Sequence, residues 1–509
     1  MNEYNSENKK YWVRLTRVCN NNCVFCLDAD EQDGSFEMTE SILALLRAGR
    51  ARGFDHAVLS GGEPSLHPDF FAIVSETKKM GYKRTQTITN GRMFSYAGFA
   101  ERAVAAGLDE ATFSLHSGSP ADFEALTRTP GSYDEALKGF MRAAKLSGLA
   151  VSVDILLTAR TIPGLTGWIN ELSSLGASEF DILYPIPFGE AWKHKNEVFF
   201  NLDERAKDIV EAFEFCEERG FKAWSNRIPA RVFEGAERFI QSPLKLRIEV
   251  EAKRDMFEAL ANRGEEPPCR GERCALCHVA EFCRSLRQFS AAIASKKMPS
   301  LLVTQGNIER LDENLPGSPK TIVIDGFDLL KSENVKRRLS KREIQVEALI
   351  DKPLENRQGV PDFVSAVYLE INKATASDLS HLKSPFLDKV ELKTVLRGRA
   401  TLEEAAKKDV PIAGFMQEFL KGGGAEIEIF NVPRCLTGRA EMRVFEAVPA
   451  NVFNNNGEID LDEYVGSYMA NWMSVKSARC AGCSHYADCP GIHINHVRAF
   501  GFSNIPFGI

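Results

Sequence analysis

The sequence lacks any apolar run long enough to cross a membrane, since no window approaches about 18 consecutive apolar residues. It also lacks an excess of positive charge, because 63 Lys and Arg face 70 Asp and Glu and give a formal net charge of -7. Such a balance provides no electrostatic footprint for DNA or RNA. The first residues, MNEYNSENKKYW, do not have the charged-then-apolar layout of a signal peptide. We therefore expect a cytoplasmic protein with no membrane and no nucleic-acid partner.

The composition is that of a globular protein with an unusual cysteine content. The 509 residues are 44% hydrophobic and 26% charged. This length exceeds what one ordinary core covers, so two or more domains or packed modules are expected. The chain has 12 cysteines, although disulfides rarely persist in a reducing compartment. Metal or redox chemistry is therefore the favoured role for these thiols.

Three of the thiols stand close together without a fourth. Cys19, Cys23 and Cys26 form the motif C-x3-C-x2-C. Thiolates are soft ligands, and four of them close a zinc site or fill the corners of an iron–sulfur cluster. Three thiolates instead leave one iron of a cubane free to bind a substrate or cosubstrate. The alternative is a zinc knuckle that a distant residue, such as His56 or His67, completes.

Most of the remaining cysteines fall in two later groups that share the spacing C-x2-C-x5-C. The first group is Cys269, Cys274, Cys277 and Cys283, and the second is Cys435, Cys480, Cys483 and Cys489. Each group supplies four thiolates, which suit either an iron–sulfur cluster or a structural zinc. Cys216 is left over, and it shares a helix face with Ile209 and Phe213. We interpret Cys216 as a buried core residue.

Strand and helix patterns alternate after the triad. DHAVLSGGEP, KRTQTITNG and LDEATFSLHSG end strands in turns, and helical stretches such as SYDEALKGFMRAAKLSG separate them. This alternation predicts parallel βαβ units with functional groups at the carboxyl ends of the strands. The second half echoes the first, since AVSVDI at 150–155 resembles AVYLEI at 366–371 and NRIPARVFEG at 226–235 resembles NVPRCLTG at 431–438. A partial internal duplication is expected, with chance similarity of generic strands as the alternative.

Several of these motifs resemble those of one enzyme family. CNNNCVFC at 19–26 resembles the cluster motif of radical S-adenosylmethionine (radical SAM) enzymes, and SGGEP at 60–64 resembles their Gly-Gly-Glu motif. TNG at 89–91 and the segment 114–140 resemble the third- and fourth-strand regions of members that modify peptides or small metabolites. The resemblance implies a [4Fe–4S] cluster on the triad, with S-adenosylmethionine bound to the open iron. It also implies reductive cleavage to a 5′-deoxyadenosyl radical, which abstracts hydrogen from the substrate.

The resemblance also implies cofactor contacts near the cluster. Gly61, Gly62 and Glu63 are expected to hold the methionine end, because the glycines admit a close backbone approach and Glu63 can face the ammonium. Phe25 is the aromatic residue that precedes the last cysteine of the motif. Asn90 ends a strand and contacts either ribose or carboxylate, or else makes a plain strand-end hydrogen bond.

Further candidates lie along the later strands. Ser114 ends a strand and has the same two interpretations as Asn90. Asp154 lies within the strand VSVDILLT, where a charged group facing the barrel interior needs a partner, and it is a candidate for contacting a ligand or substrate. His116 follows a strand end and is a candidate for facing the cavity. The stretch Tyr184–Pro187 ends the sixth strand on the expected adenine side.

The two later cysteine groups resemble the auxiliary-cluster modules of the SPASM/twitch branch. The further cysteine of that pattern is replaced by Arg287 in the first module and by His493 in the second. We expect two auxiliary [4Fe–4S] clusters with four thiolates each, and three clusters in total. His278 and His485 lie inside the modules and are expected to be surface or supporting groups rather than ligands.

The implied fold class is α/β. It consists of a partial (βα)6 TIM-like barrel, two cysteine-rich auxiliary-cluster modules and a second, vestigial half-barrel-like segment. The expected domains are 1–200 for the radical SAM barrel, 201–300 for a bridging region and the first module, 301–430 for the degenerate repeat and 431–509 for the second module. The segment 294–320, which contains Pro, Gly and Lys, is the expected junction between the two halves.

Auxiliary clusters of this kind accompany oxidations and crosslinks in ribosomally made peptides, so peptide maturation is the leading hypothesis. The region that resembles the family starts near residue 12, and we expect no leader-binding extension ahead of it, which leaves substrate binding to the vestigial half. The first alternative is an oxidoreductase or rearrangement enzyme for a small molecule in cofactor or natural-product biosynthesis. The second is a non-enzymatic iron–sulfur or zinc protein that carries electrons or senses redox state. Expected partners are a peptide or small-molecule substrate and a reductase such as flavodoxin or ferredoxin.

Overall fold

The chain divides into two compact units. The computed structural model describes residues 10–295, 300–312, 319–339, 344–353, 360–382, 386–387, 390–503 and 505. The first unit contains Met1–Phe233, Phe239–Gln241 and Glu272–His278, and the second contains Glu234–Arg238, Ser242–Gly271 and Val279–Ile509. Among the described residues, no helix combines the length and the apolarity that crossing a membrane requires.

The first unit is built on a parallel sheet of seven strands that lie side by side in chain order. The strands are β1 (Lys10–Thr16), β2 (His56–Gly61), β3 (Arg84–Thr89), β4 (Glu110–Ser114), β5 (Ala150–Leu156), β6 (Glu179–Leu183) and β7 (Lys222–Asn226). The helices are α1 (Thr39–Ala51), α2 (Phe70–Lys79), α3 (Phe99–Ala106), α4 (Pro120–Thr127), α5 (Ser132–Ala143), α6 (Leu165–Ser174), α7 (Gly189–Lys193), α8 (Lys195–Val198) and α9 (Ala206–Glu218). The predicted α/β class with a barrel-like parallel sheet is confirmed, and β7 adds a seventh strand to the six expected.

The two faces of this sheet differ in polarity. One face is apolar and fully buried, and it includes Ala57, Leu59, Phe113, Val153 and Phe180. The Phe113 ring lies 5.4 Å from that of Phe140 on α5, so helices cover this side. The alternate residues face the other way, and we call that side the polar face: it includes Gln86, Thr112, Ser114, Ser152, Asp154, Asp181 and Asn226. Because its side chains are polar and lie opposite the helix-covered face, the polar face is suited to a site.

Hydrogen-bonded side chains span part of the polar face from β1 to β5. Lys10 Nζ donates to Gln86 Oε1 at 3.1 Å, and Gln86 Nε2 donates to Thr112 Oγ1 at 2.7 Å. The Thr112 and Ser152 hydroxyls lie 2.8 Å apart. These buried polar groups are satisfied by one another, as a polar interior requires.

The second unit contains a larger sheet with a similar sequential core. Its order is β12-β13-β11-β10-β9-β8-β15, and β14 also pairs with β13. The strands are β8 (Leu301–Val303), β9 (Thr321–Asp325), β10 (Gln345–Ile350), β11 (Val364–Glu370), β12 (Phe386–Leu387), β13 (Val390–Val395), β14 (Glu428–Phe430) and β15 (Val448–Pro449), with β16 (Ser474–Val475) and β17 (Ile492–His493) as a separate pair. Only the β12–β13 pairing in the larger described sheet is antiparallel.

The second unit also contains eleven α-helices among its described residues, and two of them carry later cysteines. They are α10 (Lys245–Glu251), α11 (Arg254–Arg263), α12 (Ala280–Ala294), α13 (Phe327–Leu330), α14 (Glu333–Leu339), α15 (Ala376–Ser380), α16 (Leu402–Lys408), α17 (Ile412–Lys421), α18 (Arg434–Thr437), α19 (Leu461–Ser467) and α20 (Ile494–Phe500). Cys283 lies on α12 and Cys435 on α18.

One backbone turn recurs after a late strand of each sheet, as the echoed sequences suggest. Arg227 follows β7 with φ 64°, and Asn431 follows β14 with φ 60°. Left-handed backbone is uncommon outside glycine, and here a proline, Pro229 or Pro433, stands two residues later in both copies. The shared turn supports a partial duplication. Only the second copy bears a cysteine, Cys435, on the helical turn that follows.

Charged side chains of the protein itself fill the carboxyl edge of the second sheet. Arg399 donates from Nε to Asp409 Oδ1 at 2.7 Å and from Nη2 to Glu370 Oε1. All three side chains are buried. Arg397 Nη2 lies 2.8 Å from Asp325 Oδ2 at the end of β9. Breaking a buried ion pair is costly. These salt bridges therefore stabilise the carboxyl edge of the second sheet.

Candidate cluster and cofactor site

The thiols of Cys19, Cys23 and Cys26 gather in the loop that follows β1. Burial raises the pKa of Cys19 to about 11, and the neighbouring Cys26 thiol adds to this rise. Burial also raises the pKa of Cys23, with both other thiols of the triad adding to the effect. The three sulfurs are therefore close enough to interact electrostatically. Binding to iron requires their deprotonation, which the charge of the metal promotes.

Hydrogen-bond donors approach these sulfurs from the surrounding loop. The backbone N–H of Asn21 donates to Cys19 Sγ at 3.4 Å, and Gln32 Nε2 donates to Cys26 Sγ at 3.3 Å. Such donors stabilise thiolate ligands of iron–sulfur clusters. Among the described residues, no three Cys, His, Asp or Glu side chains are arranged to hold a single metal ion. In a cubane each thiolate binds a different iron, and the donor set of the triad fits that group.

Neither histidine of the zinc alternative is placed to complete the triad. His67 uses both ring nitrogens, since Nε2 bonds to Glu37 O at 3.0 Å and Nδ1 accepts the Asp69 N–H at 3.1 Å. His56 begins β2, whereas the Gly-Gly-Glu turn follows the end of that strand. Five residues of strand correspond to about 16 Å. His56 therefore lies at the opposite end of β2 from that turn.

The Gly-Gly-Glu turn is bonded directly to the start of the cysteine loop. The Gly62 N–H donates to Thr16 O at 2.8 Å, and the Glu63 N–H donates to Val18 O at 2.7 Å. A Cβ on Gly61, which has φ 133°, would lie 2.4 Å from Thr16 O. A Cβ on Gly62 would lie 2.2 Å from Val18 O. Both positions therefore require glycine, because the two backbones touch here.

The carboxylate of Glu63 accepts hydrogen bonds from the turn after β2 and from the end of β3 and the turn that follows it. It is buried, and this burial raises its pKa. Oε1 accepts from Thr89 Oγ1 at 2.8 Å and from the Ser65 N–H at 3.1 Å, while Oε2 accepts from the Asn90 N–H at 2.7 Å. In this arrangement Glu63 positions both turns. A contact between Glu63 and a methionine ammonium stays a prediction.

The turn after β3 contacts the cysteine loop through Asn90 and Arg92. The sequence did not predict the role of Arg92. Asn90 Nδ2 donates to Asn20 Oδ1 at 2.6 Å. Arg92 Nη1 donates to Asn21 Oδ1 at 3.0 Å, and its Nε donates to Glu135 Oε2 at 2.6 Å. Asn90 therefore contacts the loop itself, and Arg92 fixes the loop to α5. The one sequence signal for Arg92 is its position directly after TNG.

A second set of contacts, which the sequence did not predict either, joins the cysteine loop to α7. Arg128 Nε donates to Asn22 O at 2.7 Å, and its guanidinium pairs with Glu190. That hydrogen bond lowers the pKa of Glu190 to about 2. The Glu190 N–H donates to Cys26 O at 2.9 Å, and a Cβ on Gly189 would lie 2.4 Å from the same oxygen. Arg92, Arg128 and Glu190, which are distant from the cysteine loop in sequence, thus hold that loop through hydrogen bonds.

Phe25 packs against a buried histidine at the end of β4. The rings of Phe25 and His116 meet edge to face at 4.8 Å. His116 Nδ1 accepts the Leu156 N–H at 3.2 Å, so the neutral ring carries its proton on Nε2. Burial lowers the pKa of His116 to about 4 and keeps the ring neutral at pH 7. Ser114 and Asp154 lie in register on the polar face nearby.

The remaining first-unit candidates lie beyond β6. The hydroxyl of Tyr184 donates to Phe200 O at 3.2 Å and is not directed to a ligand in this arrangement. Arg273 stacks on Trp192, with its guanidinium carbon 5.1 Å from the ring centre. This places the segment Glu272–His278, with Cys274 and Cys277, against α7. An open pocket of about 390 Å³ lies beside it, lined by Lys195, Asn196, Phe199, Phe200 and Leu276.

The other two cysteines of the first module, Cys269 and Cys283, belong to the second unit. Arg287 stands where the SPASM pattern has a further cysteine, and its Nη2 donates to Cys283 Sγ at 3.7 Å. Arg287 therefore supports a thiol of the module instead of replacing a ligand. Cys216, which is outside all groups, is buried on α9 as expected.

The second module brings its four thiols together within one unit. Burial raises the pKa of Cys435 to about 11, and the thiols at 489, 480 and 483 raise it further. His485 accepts from Arg434 Nη1 at 2.6 Å through Nδ1. His493 uses both ring nitrogens, with Nε2 bonded to Met469 O at 2.9 Å and Nδ1 accepting the Asn495 N–H at 3.3 Å. The four cysteines alone are thus the candidate ligands in this module.

The cysteine triad and the Gly-Gly-Glu turn both follow the carboxyl ends of strands in a parallel sheet. Residues 13–167 match the family described as the radical SAM superfamily. The match includes the cysteine triad, the Gly-Gly-Glu turn and β5. Residues 13–167 of this chain therefore contain a radical SAM domain.

Curated relatives resemble about two fifths of this chain. A probable GTP 3′,8-cyclase of Sulfurisphaera tokodaii is 28% identical over 205 residues, which cover 40% of this chain and 64% of that protein. A probable GTP 3′,8-cyclase of Saccharolobus solfataricus is 29% identical over 200 residues, with 39% and 64% covered. The chain thus spans 64% of the length of these relatives. Among solved structures, Streptococcus suis SuiB bound to precursor peptide SuiA is 14% identical with a TM-score of 0.38, covering 44% of this chain and 49% of that one.

Proposed function

We propose that the protein cleaves S-adenosylmethionine reductively at a [4Fe–4S] cluster on Cys19, Cys23 and Cys26. The observation that carries this proposal is the gathered triad, tied by backbone hydrogen bonds to the Gly-Gly-Glu turn. When bound, the cluster and S-adenosylmethionine supply a 5′-deoxyadenosyl radical that abstracts hydrogen from a substrate. The cosubstrate would bind the iron that no cysteine of the triad holds.

The residues of this chain would orient the reactants and exclude water. Gly61 and Gly62 let the backbone approach the methionine end, and Asn90 and Ser114 would contact ribose or carboxylate. Phe25 would cover the cosubstrate and is itself held by the edge-to-face contact with His116. Fixing these groups before the reaction lowers the cost of ordering them in the transition state.

Anaerobic reconstitution tests this function. With dithionite and S-adenosylmethionine, the purified chain is expected to release 5′-deoxyadenosine and methionine. Cys19→Ala, Cys23→Ala and Cys26→Ala are each expected to abolish release, because each removes one of only three ligands. Cys216→Ala is the matched control, since its thiol is buried away from the loop. Equal release by the triad variants would refute the assignment.

We further propose that the later cysteines bind two auxiliary [4Fe–4S] clusters, as in the SPASM/twitch branch, and that flavodoxin or ferredoxin supplies electrons. The four gathered thiols of the second module support this. Three cubanes would contain about twelve irons per chain. Two zinc ions beside about four irons would instead support structural zinc in both modules.

For the substrate, we propose a ribosomally made peptide that is oxidised or crosslinked. Two cysteine modules beyond the half-barrel support this choice, because a second electron must leave after hydrogen abstraction. Cyclisation or rearrangement of a small molecule is the second candidate, which the 28% identity to a probable GTP 3′,8-cyclase over 205 residues favours. Deuterium transfer into 5′-deoxyadenosine from labelled peptides, compared with labelled nucleotides, distinguishes the two.

A further inference from the structure

Acidic and amide side chains stand side by side where β5, β6 and β7 cross the polar face. Asp154 and Asp181 are paired in register on β5 and β6, and Asp181 is paired with Trp224 on β7. Residues in register share a face, and neighbouring strands are about 4.8 Å apart.

Two acceptors in this row have no donor. Asn226 Nδ2 donates to Asp181 Oδ2 at 3.0 Å, yet Asn226 Oδ1 and Asp181 Oδ1 have no hydrogen-bond partner among the described residues. The Asn226 side chain is only 6% exposed. A buried acceptor left without a donor is destabilising. The row therefore favours a group that brings hydrogen-bond donors.

The same row is exposed to solvent at Trp224, and its chemistry suits a positively charged ligand. Trp224, adjacent to Asp181 in register, is 38% exposed, and an indole face attracts organic cations. The one cation described on β7 beside it, Lys222, already pairs with Glu179 at 2.6 Å. Ammonium and guanidinium groups carry several donors and positive charge, which match carboxylate and amide oxygens.

We propose that Asp181, Asn226 and Trp224, with Asp154 beside them, bind an alkylammonium or guanidinium group of the substrate. In a peptide this group is a lysine or arginine side chain. The inference deepens the proposed function, because the bound group would orient the substrate on the polar face that also carries Ser114. It adds a substrate-positioning role for Asp181 and Asn226, which no motif in the sequence marks.

The test uses the reconstituted full chain with S-adenosylmethionine present and the cluster unreduced. Saturation-transfer NMR titrations compare Nα-acetyl-lysine amide and Nα-acetyl-arginine amide with the neutral Nα-acetyl-norleucine amide. At least one basic probe is expected to bind wild type about tenfold more tightly than norleucine, and Asp181→Asn is expected to lose about that tenfold. Asp134→Asn, an exposed carboxylate on α5, is the matched control and is expected to bind like wild type.

Each comparison in this experiment has its own outcome. Equal affinity of wild type for the basic and neutral probes overturns the inference without relying on any variant. Equal losses in Asp181→Asn and Asp134→Asn overturn it as well, since they indicate attraction to the acidic surface. Tight binding of n-butylammonium alone supports the cation site and assigns it to a small amine. Failure to cleave S-adenosylmethionine would refute the proposed function, whereas these titrations decide the cation site independently.

Discussion

Gly62→Ala is expected to damage the site by separating two backbone segments. The added methyl carbon would lie 2.2 Å from Val18 O and 2.7 Å from Val18 C. This is more than about 1 Å inside ordinary van der Waals contact. Because the obstructing atoms are backbone, rotation of a side chain cannot relieve the clash. The turn must move away and lose the hydrogen bonds from Gly62 to Thr16 and from Glu63 to Val18.

The magnitude follows from overpacking and lost hydrogen bonds. Overpacking alone costs about 1–3 kcal/mol, and each lost backbone bond adds about 1 kcal/mol. Gly62→Ala should therefore destabilise the first unit by about 3–5 kcal/mol and reduce the affinity for S-adenosylmethionine. Anaerobic urea unfolding and an isothermal titration with S-adenosylmethionine measure the two effects.

The matched control is Gly167→Ala on α6, where a Cβ would meet nothing within 4 Å. Alanine is favoured over glycine inside a helix by up to about 1 kcal/mol. Gly167→Ala is expected to keep or slightly raise the stability and to bind S-adenosylmethionine normally. If Gly62→Ala unfolds like wild type and binds the cosubstrate with unchanged affinity, the Gly-Gly-Glu turn does not pack against the start of the cysteine loop as described.

The remaining predictions concern pH and the second unit. His116 has a folded pKa of about 4 against 6.5 in the unfolded chain, so the unfolded state binds more protons below pH 6.5 and stability falls as the pH drops towards 4. At pH 5 the loss is about 2 kcal/mol, and His116→Phe should flatten this part of the urea-derived stability profile; an unchanged slope contradicts it. Arg399→Ala leaves Glu370 and Asp409 buried without their shared cation and is expected to cost about 3–5 kcal/mol in urea unfolding, whereas a loss below 1 kcal/mol would show that the pairs are solvated.

The sequence was sufficient for the fold class because its signals are local. The alternation of strand and helix patterns, the glycines after β2 and the cysteine spacings each involve short stretches. The left-handed turn at Asn431 also follows a short echo of the segment at Arg227. The seventh strand was not predicted, since its five residues, Lys222–Asn226, lie beyond the motifs of the barrel.

The hydrogen bonds and ion pairs that hold the cysteine loop could not be predicted, because they join residues far apart in the chain. Arg92 and Asn21 are separated by 71 residues, and Arg128 and Glu190 by 62. The local sequence around an arginine does not indicate which distant oxygen its guanidinium will bind. The same holds for Asp181, whose importance lies in the register of three neighbouring strands.

The response of the reduced cluster to S-adenosylmethionine tests the assignment of the triad most directly. In an anaerobically reconstituted chain reduced with dithionite, the electron paramagnetic resonance spectrum is expected to change when S-adenosylmethionine is added, because one iron lacks a protein ligand. Cys26→Ala is expected to abolish that response while signals from the later cysteine modules persist. A wild-type spectrum that is unaffected by saturating S-adenosylmethionine would contradict an open iron on Cys19, Cys23 and Cys26.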